Sequence, residues 1–399
     1  MNLPAKPIPG LIWMLAALTA LAPLAVDAYL PAFPTMAQDF DVAVQQIELT
    51  LSVFLIGFAL GQLTGGPFSD HFGRRTAIFT GLSLFLLGTL GIVFGQSIET
   101  LWGSRFLQAL GGGISIVNSS AIVRDIYKGA DSARAMSRIS AIMMVAPMMA
   151  PFLGSAILQV GSWRIIFIVL VLYAITLLFT LKKHLPETRQ SNGQPRLSPF
   201  KRYQQVITHR RALGYILAVA MGYGAMFAFI TGSSSVYMGY FGASTALFPV
   251  LFGANVVMLL IFNKINARIV HRFTPKRLLA VAQYIQIFVG LSLISLITMT
   301  GLELWQMVVG IMLFIGLQGF IVSNGTASTL EFFPHSAATA TALVGATGFA
   351  LGGISGAIIG IFGDGSPLFL MITMTLAVIC GVVLRKLLHH RQTLYLKTD

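Results

Sequence analysis

The sequence holds one cysteine, Cys380, so no internal disulfide can form and no redox compartment follows. Charge is scarce: charged residues make up 10% of the 399 positions, against roughly 25% in soluble domains. Acidic residues are rarer than basic ones, 13 Asp and Glu against 26 Lys and Arg. No Gly-x-x-x-x-Gly-Lys-Ser/Thr loop occurs, which argues against ATP as an energy source. The histidines (His71, His184, His209, His271, His335, His389 and His390) fall in loops and the tail without a ligand pattern. Neither a metal site nor a cofactor is expected, and nothing points to an enzyme.

What the chain has in abundance is apolar surface. Apolar types reach 56%, with 40 Gly and 29 Phe, and the mean hydropathy is +0.81. A water-soluble fold could not cover that much, so lipid must solvate it. Apolar runs fall at 10–35, 46–67, 76–95, 99–123, 134–158 and 163–181. A second set follows at 212–238, 244–265, 275–299, 303–328, 337–361 and 366–388. The expectation is an all-α membrane protein of twelve transmembrane helices in two six-helix bundles, 1–184 and 212–399. A basic linker at 185–211 joins them.

The net charge of +13 would suggest nucleic acid in a soluble chain. Here it reads as topology, because cytoplasmic loops collect Lys and Arg. With both termini cytoplasmic, 24 of the 26 basic residues lie inside, the exceptions being Arg105 and Arg164. Asp39, Asp41, Glu48, Glu99, Glu303 and Asp364 then fall on the outer side, in loops or at span ends. The N-terminus shows no cleavage pattern, so Leu11 onward reads as a retained first span. No nucleic-acid partner is expected; the lipid bilayer is the partner.

Helices in lipid associate by close approach, which favours small residues four apart. Such stripes occur at Gly57, Gly61 and Gly65, at Ala146, Ala150 and Gly154, and at Gly348, Gly352, Gly356 and Gly360. They serve either static packing or the sliding of bundles. Pro23, Pro147 and Pro151 interrupt spans 1 and 5, removing backbone donors.

Asp27 follows the apolar stretch Leu11–Val26, about one turn from the expected outer end of span 1. An ionised carboxylate at membrane depth costs at least a few kcal/mol, so it should face a wet cavity, pair, or take up a proton. Arg105 in span 4 is the natural counter-charge, with Gln108 one turn further in on the same face. The alternatives are Asp27 as a structural ion pair or a residue snorkelling to the outer head groups, and Arg105 as a purely structural cation on backbone carbonyls. Glu331 is a milder case at the inner end of span 10. Adaptable thioether and aromatic side chains suit a pocket for varied apolar compounds. The expected substrate cavity comprises Tyr29, Gln108, Met144, Tyr223, Phe227, Asn255 and Gln318.

Between spans 2 and 3 the chain reads Gly66-Pro-Phe-Ser-Asp70-His-Phe-Gly73-Arg74-Arg75. This resembles the loop 2–3 signature of the major facilitator superfamily, with a degenerate second copy at 267–276 carrying His271 in place of Asp70. Asp27-Ala-Tyr29-Leu-Pro31-Ala-Phe-Pro34, Gly57-Phe-Ala-Leu-Gly61-Gln62 and Arg124-Asp125-Ile-Tyr127 resemble motifs of the Bcr/CflA (bicyclomycin-resistance) drug exporters. Glu331-Phe-Phe-Pro334-His335 does likewise. Ala146-Pro147-Met-Met-Ala150-Pro151-Phe-Leu-Gly154 stands where the superfamily's antiporters carry a Gly-Pro motif, with Ala at two Gly positions and Ser155 at the last.

The resemblance implies a monomeric, multi-pass antiporter of the bacterial inner membrane, driven by the proton gradient, that exports small drugs by alternating access. It implies proton and substrate coupling at Asp27 and Arg105. It further implies a cytoplasmic gate at Gly66, Asp70, Gly73, Arg74, Arg75, Arg124 and Asp125, and an antiporter helix marked by Pro147, Pro151 and Gly154. The rival within transport is a proton-linked carrier of a small metabolite, an amino acid such as cysteine or a sugar. Its pocket would carry more polar groups than this chain offers.

Overall fold

Long apolar runs have no water to satisfy their backbone groups, so each closes its hydrogen bonds within itself as a helix. The computed structural model describes residues 10–189, 198–334 and 336–395. The middle of the linker (190–197) and His335 of the Glu331–His335 motif lie outside the described residues. The helices are α1 (Leu11–Asp27), α2 (Phe33–Phe40), α3 (Val44–Phe72), α4 (Arg74–Phe94), α5 (Ile98–Ile126), α6 (Gly129–Val160) and α7 (Arg164–His184). They continue with α8 (Pro199–Thr208), α9 (Arg210–Ser234), α10 (Phe248–Ile269), α11 (Pro275–Thr300), α12 (Leu304–Gly316), α13 (Gln318–Leu330), α14 (Ala337–Phe362) and α15 (Pro367–Tyr395). Among the described residues there is no strand, and twelve helical stretches are long and apolar enough to cross a membrane.

Local chemistry fixes several ends. Ser97 and Thr274 accept the N–H groups of Thr100 and Arg277 at the starts of α5 and α11. Glu303 and Gln306 form a reciprocal capping box at α12. Pro199, Pro249, Pro275 and Pro367 sit in first turns, where their missing N–H groups would have had no partner in any case. Pro147 and Pro151 lie inside α6, which runs through both.

The chain divides into two compact units, Met1–Ala43 with Val53–Pro195, and Val44–Ser52 with Arg196–Asp399. The first turns of α3 therefore belong with the second half of the sequence. In the first unit α4 lies along α5, and α1 packs on α5, α6 and α7. The α3 stripe seats on α5: a Cβ at Gly57 would stand 2.8 Å from the carbonyl oxygen of Phe106. In the second unit α9 is central, against α13, α14 and α15.

Three expectations need correction. Span 1 does not end near residue 35: after Asp27 the chain makes a 3-10 turn, Leu30–Ala32, and resumes as α2 to Phe40. Pro31 and Pro34 each fall in the first turn of a new segment, which permits the restart. Asp27 thus stands near the middle of a stretch covering Leu11–Phe40. Glu48 does not face the outside: it lies within α3 and is 1% exposed. Glu331, expected as a milder case of the stranded acid at the inner end of span 10, is half exposed and paired with Lys276 at 2.6 Å.

Candidate functional site

The α1 helix ends on Asp27, whose side chain is 4% exposed. Its Oδ1 has no hydrogen-bond partner among the described residues. Arg105 on α5 is wholly buried and does not take that role. Its Nη1 donates to Oε1 of Gln108 at 2.6 Å, and its Nη2 to the carbonyl oxygen of Ala25 at 3.1 Å. Gln108 in turn donates to Thr89 Oγ1 at 2.9 Å, and Thr89 to the carbonyl of Phe85. A polar chain therefore runs from α1 through α5 to α4, ending two residues short of the acid.

Aromatic rings hold the guanidinium. It lies 4.2 Å from the ring centre of Tyr29 and 4.5 Å from that of Phe54, with Phe167 at 5.8 Å. Ring faces attract a desolvated cation, and Tyr29 also packs on Phe33 and Phe167. One residue past Asp27, Gly154 of α6 stands directly against the carbonyl oxygen of Ala28. No other residue could sit there without parting the two backbones. Pro151 and Gly154 are buried on that helix, whereas Pro147 and Met144 are half-buried further back.

At the other end of this unit, Gly73 closes α3 and opens α4 with φ +99°, a conformation that glycine alone adopts freely. Arg74 bonds Asp70 at 2.8 Å, Asp125 at 3.2 Å and Ser69 Oγ at 2.5 Å. Arg75 donates to the carbonyl of Lys182 at 2.9 Å. Gly66 accepts the hydroxyl of Ser69, and Arg124, beside Asp125, is exposed at the end of α5. The signature residues thus converge as a charge-paired turn.

Sequence reasoning missed the residues that clamp this turn. Glu187 accepts the backbone N–H groups of Arg74 at 2.9 Å and Arg75 at 3.1 Å, capping α4 from outside. Thr188 donates to Asp125, and Arg189 to the carbonyl of His71 at 2.6 Å. A carboxylate at a helix N-terminus meets unsatisfied donors and the positive end of the dipole. The signal available was the acid of Leu185-Pro-Glu187-Thr-Arg189, set in an otherwise basic segment.

In the second unit Tyr223, Phe227 and Phe349 form a ring cluster, with centroids 5.5 to 6.2 Å apart. The α14 stripe makes room for it: Cβ atoms at Gly348 and Gly352 would meet the rings of Tyr223 and Phe227. Gln318 begins α13, where the tenth span breaks after Leu317, and it lies against Gly222. It is buried, and neither amide atom has a partner among the described residues. Asn255 is turned back on its own helix, donating to the carbonyl of Leu251 at 3.1 Å.

Known proteins share this architecture and sequence. The family model of the Major Facilitator Superfamily matches residues 15–357. A bicyclomycin resistance protein homolog of Haemophilus influenzae is 33% identical, over 93% of this chain and 94% of its own. A chloramphenicol resistance protein of Pseudomonas aeruginosa is 30% identical, over 86% of this chain and 81% of its own. Among solved structures, a bacterial homolog to the human lysosomal transporter Spinster, inward-facing and occupied, superposes with a TM-score of 0.74. It is 14% identical and the match covers 98% of each chain, a likeness of fold. The match along most of its length, and the sequence shared with these resistance proteins, make this chain a member of the Major Facilitator Superfamily, a multi-pass membrane transporter and not an enzyme.

Proposed function

We propose that the protein is a proton-coupled antiporter exporting small amphipathic antibiotics, bicyclomycin- or chloramphenicol-like, across the bacterial inner membrane by alternating access. The observation that carries this reading is Asp27: a buried acid at the point where α1 breaks, with one oxygen that has no partner among the described residues. An ionised carboxylate there is costly, and either a proton or a polar substrate group relieves the cost. Binding of a periplasmic proton lets the emptied site close; loss of that proton inside readies it for drug.

Arg105 cannot realistically deprotonate, so it sets the field around α1 without joining the proton count. The names of the relatives, resistance to bicyclomycin and to chloramphenicol, support the substrate class. The bias of Lys and Arg supports cytoplasmic termini. Of its two exceptions, Arg164 is neutralised by Asp39 and Arg105 is caged by rings.

Inverted vesicles test the scheme. Asp27→Asn should abolish uphill drug accumulation while leaving drug–drug exchange across the membrane. Uphill accumulation by the variant, or export insensitive to an uncoupler with ATP maintained, rejects it. Proton-driven uptake of an amino acid or sugar without drug transport supports the metabolite carrier instead.

A further inference from the structure

Glu48 lies in the part of α3 that belongs with the second unit, and one of its carboxylate oxygens accepts the hydroxyl of Ser235 at 2.5 Å. Ser235 opens a π-helical turn, Ser235–Tyr240, that ends α9. Such turns are rare and occur often at functional sites. One turn along each helix from this pair stand Ser52 and Thr231. Their hydroxyls lie 2.7 and 2.8 Å from where a Cβ of Gly356 would be, so the bare α14 backbone leaves room for both. The hydroxyls of Ser52, Thr231 and Ser234 have no hydrogen-bond partner among the described residues, and all three side chains are buried. Beside Glu48 is a cavity of about 10 Å³, bordered by Ser235, Gly363, Ser366, Phe369 and Leu370. That is room for about one water molecule.

Among the described residues no Lys, Arg or His is paired with this acid. The residues bordering the cavity from α9, the π turn, α14, α15 and the loop before α15 include no Lys, Arg or His. Toward this end of those elements the titratable side chains are Tyr237, the exposed Tyr240 and Asp364; the others of α9 (Arg210 to Tyr223) and of α15 (Cys380 onward) lie at least two helical turns along from the residues bordering the cavity. Tyr237 packs its ring on Phe229 and Phe248. Asp364 is exposed, and hydrogen bonds from Ser366 hold its carboxyl below the usual carboxylate range. A buried carboxylate without a counter-charge is strongly disfavoured, whereas a carboxylic acid among hydroxyls is not.

We propose that Glu48 is a second proton-binding group of this transporter, separate from Asp27, which holds its proton as a carboxylic acid in the hydroxyl-lined chamber of α3, α9 and α14. The proton comes from water as hydronium and returns to it, leaving a carboxylate; no other bond changes. Ser235 donates to the carboxyl oxygen in both states, the water-sized cavity bordered by Ser235 and Ser366 gives a water its place beside the acid, and the hydroxyls of Ser52 and Thr231 stand one turn further along. This proposal does not rest on the role given to Asp27.

Infrared difference spectroscopy of the full-length protein in lipid, titrated with pH in the absence of drug, tests it. The wild type should show a carboxylic-acid C=O component that Glu48→Gln removes and Asp27→Asn retains. Ser235→Ala should shift that component to higher frequency without removing it, which serves even where the Gln variant folds poorly. A Glu48→Gln spectrum that matches the wild type throughout overturns the proposal. So does a component that disappears on adding sodium at fixed pH, since the chamber would then hold a metal cation. A Ser235→Ala variant with an unshifted component also overturns it.

Discussion

Gly154 of α6 touches the carbonyl oxygen of Ala28, the residue that follows Asp27. The helix bearing the Ala-Pro repeat is thereby applied to the break in α1, at the acid proposed for proton coupling. The contact joins α6 to the residue after Asp27 backbone to backbone, with no side chain between.

Gly154→Ala should therefore affect more than packing. The added methyl meets a carbonyl oxygen that cannot rotate away, and overpacking of this kind costs about 1–3 kcal/mol. Thermal unfolding in detergent should fall accordingly. Drug export by the folded fraction should also fall, with a larger loss in gradient-driven accumulation than in drug–drug exchange. Equal losses in both would mean that the contact only holds the bundle together.

Arg105→Lys keeps the charge and loses the fork. A lysine cannot bond Gln108 and Ala25 together while lying flat on Tyr29 and Phe54. A desolvated cation–ring contact is worth about 2 kcal/mol, so a loss of that order in stability is expected, with transport reduced at least tenfold. Unfolding by denaturant and vesicle transport measure the two effects. A lysine variant that matches the wild type in both would show that charge alone suffices.

Much of this was legible in the sequence because it depends on local pattern. Span number follows from hydropathy, and the turn at Gly73 follows from the resemblance of Gly66–Arg75 to the superfamily's signature. What escaped depends on distant residues meeting. Glu48 sits at the start of an apolar run beside two glutamines and reads as an outer residue; its burial arises because Ser235 and the bare edge of α14 close over it. Asp27 was recognised, yet its depth was not, since two prolines look like a helix end when they in fact start new turns. Glu187 was lost among the basic residues of the linker, although it lies 113 residues from Arg74 in sequence and bonds its backbone.

Glu187→Ala removes the acceptor for two backbone donors at the start of α4. Loss of a cap costs about 0.5–2 kcal/mol, and Glu187→Gln should lose less because one oxygen still accepts. Both variants should slow turnover while drug affinity stays within about twofold, the same split expected for Asp70→Asn. Gly73→Val should be the most severe, since a side chain there needs a left-handed backbone and collides with Glu187. Binding and turnover assays on the purified protein separate these effects; affinity lost in proportion to rate would place the clamp in the substrate site instead of the gate.

Gln318 offers a sharper test of the substrate residues expected in the second unit. Both of its amide atoms are buried without partners among the described residues, beside Gly222. An unsatisfied buried amide destabilises the protein by about 1–3 kcal/mol, so an apolar residue of similar shape should be neutral or stabilising. Gln318→Met is therefore expected to hold or raise the melting temperature. If the amide is kept to hydrogen-bond the substrate, the same variant should weaken binding of a hydrogen-bonding drug such as chloramphenicol by about tenfold, the equivalent of 1.4 kcal/mol. A purely lipophilic dye should be unaffected. Thermal shift and equilibrium binding, read side by side, decide it: a fall in stability with unchanged binding would make Gln318 a structural residue of the broken tenth span.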